Sequence, residues 1–185
     1  GGLITLTAQD EVGGIPSATT TDTAGSIELA AGSTLNARST TAGNLVLAGL
    51  GALTLEDVKT ADGSIAITAT GTLTANAVVA AGSTSDGVSL STTTGGVVAT
   101  SITAADSVSI TADAGDVTLG AVTATSGTLA ITASTGSIND GGDDATTDLT
   151  AGGLITLNAQ DEIGGSPSAT TSDSAGSIEL AAGST

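Results

Sequence analysis

The densest set of chemically capable side chains is Asp140, Asp143, Asp144 and Asp148, spread through the glycine-containing stretch Asn139 to Asp148. Carboxylate oxygens interleaved with glycine are hard ligands of the kind calcium gathers, six to eight at a time. Their spacing matches neither the EF-hand loop nor the glycine-rich nonapeptide calcium repeat. The four aspartates are candidate calcium ligands, with solvated loop carboxylates as the alternative; beyond calcium, no cofactor is expected. Asp10-Glu11 and Asp161-Glu162 are carboxylate pairs of another kind. Neighbours on a strand point to opposite faces, so these are read as solvated.

Catalysis is a poorer fit. Aspartate pairs can do general acid/base work, and parallel β-helices include polysaccharide lyases and hydrolases. Such sites need basic partners and aromatic platforms for sugar rings. This chain has no His, Phe, Tyr or Trp, and two basic residues in all, Arg38 and Lys59. No enzyme is expected. The formal charge of −17 argues against nucleic acid and against anionic membranes, both of which attract Lys/Arg surfaces. No apolar run approaches the twenty or so residues of a membrane-spanning helix. Without cysteine there are no disulfides or thiolate metal sites.

The elements that must position these carboxylates are repeats, on two scales. Residues 1–34 recur as residues 152–185 with an offset of 151 and no gap, and the substitutions are mild apart from Ile15 against Ser166. Within the long repeat, an apolar-x-apolar step recurs at Ile4, Ile27, Leu45, Ile65, Val88, Val108, Leu129, Ile155 and Ile178, at intervals of 18 to 26 residues. Period-two alternation is the signature of a strand buried on one face. A second apolar segment follows a glycine in the central copies (Leu53, Leu73, Val97, Val117), and a third starts at Val58, Val78, Ile102 and Val122. Glycine or aspartate stands two residues before each first position, as at Gly43, Gly63, Asp86 and Asp106. That is where a recurring corner would demand unusual backbone angles.

These periods predict an all-β fold, a three-sided parallel β-helix (β-solenoid) with about 20 residues per coil. The first seven intervals sum to 151, which predicts seven coils per long repeat. Seven coils stacked about 4.8 Å apart advance roughly 34 Å. Parallel crossovers are right-handed, so a right-handed coil is expected. Residues 1–185 read as one continuous solenoid segment, with 1–151 one long repeat and 152–185 the start of the next. The absence of aromatics suits a core too narrow to hold them. Neither end resembles a cap, which predicts that coils continue on both sides, in the same polypeptide or by end-to-end stacking of the chain on itself. An export signal is expected outside these residues, since residue 1 already lies inside a repeat.

GDVTLGAVTATSGTLAITASTGSINDGG (115–142) and ADGSIAITATGTLTANAVVAAG (61–82) resemble the repeats of filamentous-haemagglutinin-like bacterial exoproteins. The resemblance covers essentially the whole chain and implies a right-handed parallel β-helix in a giant adhesin, exported through an outer-membrane partner. The functional expectation is a structural segment of a very long extracellular or cell-surface fibre, serving adhesion or matrix formation. Three alternatives stand beside it: a passive adhesin stalk, an ice-binding solenoid and a polysaccharide-active β-helix. The Thr-x-Thr ladder that ice binding needs is interrupted by Glu28 and several alanines, and threonine is read instead as a strand former on a wet outer face. Loops leaving a rigid solenoid are natural contact points. Residues 13–22 with their echo at 164–173, residues 81–86 and residues 139–148 are therefore candidate contacts with neighbouring fibres, a host or a neighbouring cell surface.

Overall fold

The computed structural model describes residues 2–13, 26–141, 146–164 and 177–181. Every regular element in them is a strand, and every strand pairing is parallel. Two sheets form, and the chain alternates between them. The smaller stacks β2 (Ile27–Leu29), β4 (Leu45–Gly49), β6 (Ile65–Ala69), β9 (Val88–Thr92), β11 (Val108–Ala112), β13 (Leu129–Ala133) and β16 (Ile155–Ala159). The larger stacks β1 (Leu3–Ala8), β3 (Ser33–Ser39), β5 (Leu53–Thr60), β7 (Leu73–Ala75) with β8 (Val78–Ala80), β10 (Val97–Ala104), β12 (Val117–Ala124), and β14 (Ile138–Asp140) with β15 (Leu149–Ala151). This is the expected β-solenoid. About five regular turns separate β4 from β16.

Alternation places the side chains. In β4, β6, β11 and β13 the first, third and fifth residues are buried and those between them face outward. Stacking then aligns like with like: Leu45, Ile65, Val88, Val108 and Leu129 form one rung-to-rung ladder. A second ladder, on the larger sheet, runs through Val58, Val78, Ile102, Val122 and Leu149. Each fully buried Leu, Ile or Val contributes about 1.5–3 kcal/mol of transfer free energy. The core is one continuous cluster of such residues along the axis.

Hydroxyls close the inner ladders. Thr60 and Thr92 are buried, and each donates its Oγ1 to the carbonyl three residues on, Gly63 and Gly95. Ser39 does the same to Ala42 at 3.1 Å. These threonines lie inside, where the outer-face reading does not apply. Turning the corner inside a narrow coil leaves a carbonyl without a strand partner, and a short hydroxyl side chain reaches it.

The corner glycines divide into two kinds. Gly43 and Gly63 have φ of 115° and 148° and stack directly, so that a Cβ on Gly63 would lie 2.4 Å from the Gly43 carbonyl oxygen. At Gly127, in the equivalent position, crowding alone excludes a side chain: a Cβ would lie 2.8 Å from the Asp106 carbonyl carbon.

The two ends depart from the expected alignment. Ile4 pairs with Leu35 and Leu6 with Ala37 on the larger sheet, apart from the motif copies of the smaller sheet. Val12 instead occupies the smaller-sheet rung beside Leu45, and Ile27 pairs with Leu47, two residues later than motif alignment places it. At the other end β16 lies on the smaller sheet as expected. Leu180 bridges Leu149, on the larger. Among the described residues from 3 to 151, the chain lies seven times on the larger sheet and six times on the smaller. Among the described residues, β3 is the one strand that pairs with Leu3–Ala8.

Candidate functional site

Asp140 ends β14, and Asp148 immediately precedes β15; Asp143 and Asp144 lie outside the described residues. Asp148 is 5% exposed. Its backbone is held on both sides: Val122 N donates to its carbonyl at 2.7 Å, and its own N donates to the Glu179 carbonyl at 3.0 Å. Its Oδ2 accepts from Glu179 N at 3.0 Å. Burial, then the facing Glu179 side chain and the charges of Asp140 and Glu179, push its carboxyl up to about 6 against the opposing pull of that amide. Glu179 Oε1 accepts from Ser177 Oγ at 2.8 Å, while its Oε2 is buried without a hydrogen-bond partner.

The structure thus brings a residue that sequence reading passed over, Glu179, against Asp148. The signal was available: Glu179 is the middle residue of the motif copy that begins at Ile178. What it did not reveal was the sheet on which that copy would stack. Among the described residues no group of three acidic side chains is arranged to hold a metal ion. What Asp148 can do chemically is hold its proton to a higher pH than an ordinary carboxylate, because burial disfavours its charged form.

A second charged cluster sits where β3 meets β5. An extra residue, Glu56, bulges out of the β3–β5 ladder, and the register resumes at Asn36 opposite Asp57. Arg38 and Lys59 lie side by side on adjacent coils, and both engage Asp57. The Arg38 guanidinium donates to Oδ2, and Lys59 Nζ lies 2.9 Å from Oδ1. Hydrogen bonding by Lys59, then by Arg38, holds the Asp57 carboxyl below its ordinary range. Both basic residues of the chain engage this one carboxylate. Sequence reading missed this as well, although Arg38 and Lys59 are 21 residues apart, one coil.

Of the candidate contact loops, residues 81–86 are fully described. They fold back on themselves: Asp86 Oδ2 accepts from Ser83 N at 2.6 Å, and Asp86 N donates to the Ser83 carbonyl at 3.1 Å. Asp86 is 7% exposed, so this aspartate serves its own turn. Residues 14–22 and 165–173 of the first loop and its echo fall outside the described residues, as do 142–145 of the third. A shallow groove beside the 81–86 turn is lined by Ser64, Ala66, Ser85, Ser89, Ser107 and Ser109. Two of these hydroxyls already serve the next coil, Ser64 accepting from Gly87 N and Ser107 from Thr128 N, each at 3.1 Å. The carboxylate pair Asp10-Glu11 lies at an exposed corner.

No family profile, curated protein or solved structure matches the chain.

Proposed function

We propose that this chain is a structural segment of a very long extracellular or cell-surface β-solenoid fibre that serves adhesion or matrix formation. The observation that carries the reading is the stacked ladder of like apolar residues, parallel from β4 to β16. A solenoid of this kind gains stability from each coil against its neighbour, so length is added without redesign. The 151-residue repeat supports a tract longer than one block. The surplus of carboxylates supports solvation of a long surface and resistance to lateral clumping.

The repeat grammar of residues 61–82 and 115–142 supports a finer placing among filamentous-haemagglutinin-like adhesins, with a right-handed, three-sided coil. The division of larger-sheet passes into two short strands, β7 with β8 and β14 with β15, agrees with three sides. Partners on this reading are further copies of the chain along the axis and a cell surface reached through the loops. Fibre diffraction from the assembled material is the test. Axial layers near 4.8 Å, the strand spacing, are expected; discrete particles with no axial order would sink the proposal.

A further inference from the structure

Aspartate is followed by glycine at Asp62-Gly63, Asp86-Gly87 and Asp140-Gly141, and asparagine is nowhere followed by glycine. In such a pair the main-chain nitrogen is open to the preceding carboxyl, because glycine has no Cβ to block the approach and a wide choice of φ. By sequence the three sites are alike. The structure separates them. Gly87 N donates to Ser64 Oγ at 3.1 Å, and Gly141 N to the Leu119 carbonyl at 2.6 Å. Asp86 is 7% exposed, and its Oδ2 accepts from Ser83 N at 2.6 Å and from Ser83 Oγ at 3.1 Å. Asp62 is exposed. Among the described residues no donor holds its carboxylate, and Gly63 N has no acceptor.

Coil stacking creates this arrangement. Asp62 lies in the corner between β5 and β6, and the coils on either side meet it with glycine. On one side Gly43 N donates to the Asp62 carbonyl at 2.7 Å. On the other, a Cβ on Gly82 would lie 2.6 Å from Asp62 Oδ1 and 2.7 Å from Asp86 Oδ2. Glycine at 63 is required by its φ of 148° and its stack on Gly43. The packing that demands glycine there also leaves its nitrogen beside a carboxyl that nothing restrains.

We infer that Asp62-Gly63 is a modification site, at which the folded chain converts aspartate to isoaspartate without an enzyme. The Gly63 nitrogen attacks Asp62 Cγ. A C–N bond forms, the carboxyl C–OH bond breaks, and the hydroxyl leaves with the nitrogen's proton as water. The product is a five-membered succinimide, and nothing is oxidised or reduced. Water then opens the ring at one of its two carbonyls. Opening at Cγ restores aspartate. Opening at the main-chain carbonyl leaves the backbone running through Cβ and Cγ, one methylene longer, with the former main-chain carbonyl as a free carboxylate. That carbonyl is the acceptor for Gly43 N, so the change falls on a contact between two coils. The inference does not depend on the fibre reading.

The test compares the folded chain with the same chain denatured in guanidinium chloride. Both are held for weeks at body temperature and digested with elastase, and isoaspartate at each of the three sites is quantified by electron-transfer mass spectrometry. Folding should slow the reaction at Asp86 and Asp140 by about tenfold or more, and at Asp62 by less than about threefold, because a site already open needs no local unfolding. Slowing at Asp62 as great as at Asp86 overturns the inference, as does a folded chain with no isoaspartate at position 62. Asp62→Glu keeps the charge but closes its larger imide ring far more slowly, and it supplies a second reading. Amide exchange at Gly43, whose N–H bonds the Asp62 carbonyl, should quicken with age in the parent and stay constant in the variant. Equal quickening in both overturns the assignment to this site.

Discussion

Residues 3–8 and 154–159 differ at one position, Thr7 against Asn158, and settle on different sheets. The middle of the molecule does the reverse. β4, β6, β9, β11 and β13 range from LVLAG through VSLST to LAITA, yet all five stack on one sheet in one register. The difference lies in how many neighbours a strand has. A middle strand is templated on both edges, and a slip of one residue would turn its whole apolar set outward. An end strand is templated on one edge, and any edge with a matching alternation accepts it.

The largest effect that separates the two regions comes from a buried charge. Ile67 is 2% exposed between Leu47 and Leu90. Ile67→Asp should cost several kcal/mol, because the carboxylate has no partner there, and it should loosen both adjacent coils. Leu3→Asp, at an open edge, should stay within about 0.5 kcal/mol. Thermal melts followed by far-ultraviolet circular dichroism compare the two; equal melting temperatures would falsify the templating argument.

Backbone substitutions give a smaller contrast. Gly63→Ala forces a left-handed residue into contact with the Gly43 carbonyl and should cost about 1–3 kcal/mol. A Cβ on Gly2 meets nothing within 4 Å, so Gly2→Ala should leave the urea midpoint where it was. A matching loss from both variants would mean that the corner is not held by stacking.

Proton binding sharpens the comparison at the C-terminal end. The Asp148 carboxyl is raised to about 6 from an ordinary value of 3.8. Its favourable contribution is therefore fully present below pH 3.8 and is lost as pH rises through about 6. Amide exchange at Glu179 and Ala181, which bond to Asp148 Oδ2 and the Leu149 carbonyl, should slow several-fold between pH 7 and pH 5, after correction for intrinsic rates. Asp148→Asn should remove that dependence. A wild-type profile surviving in this variant would assign it elsewhere.

The smallest effect is at the ion cluster. Arg38→Ala removes one of two cations from Asp57, at side chains 54% and 28% exposed. A loss below about 1 kcal/mol is expected, smaller still in high salt. Because the Asp57 carboxyl is lowered, whatever it contributes is present above pH 3.8 and fades as pH falls further. A loss above 2 kcal/mol in Arg38→Ala would mean that this bulge anchors the coil.

The legible part of this fold was local. The steps at Leu45, Ile65, Val88, Val108 and Leu129, and the later apolar residues Val58, Val78, Ile102 and Val122, all lie on the ladders that their spacing predicts. The candidate site was less legible. Asp148 was singled out with Asp143 and Asp144, which lie outside the described residues, and its contact with Glu179 of the next coil was not foreseen. Contacts between coils depend on which rung a segment takes, and spacing alone leaves that open when the template is one-sided.

Alternation with period two, a corner about every twenty residues and a core without rings follow from the sequence, because they are properties of a few consecutive residues. Sheet assignment at the ends, the contact of Asp148 with Glu179 and the clamp of Arg38 and Lys59 on Asp57 were decided by tertiary structure. Each depends on stacking partners some twenty or more residues away. An amphipathic strand carries no label for the sheet it joins; the free edge beside it decides.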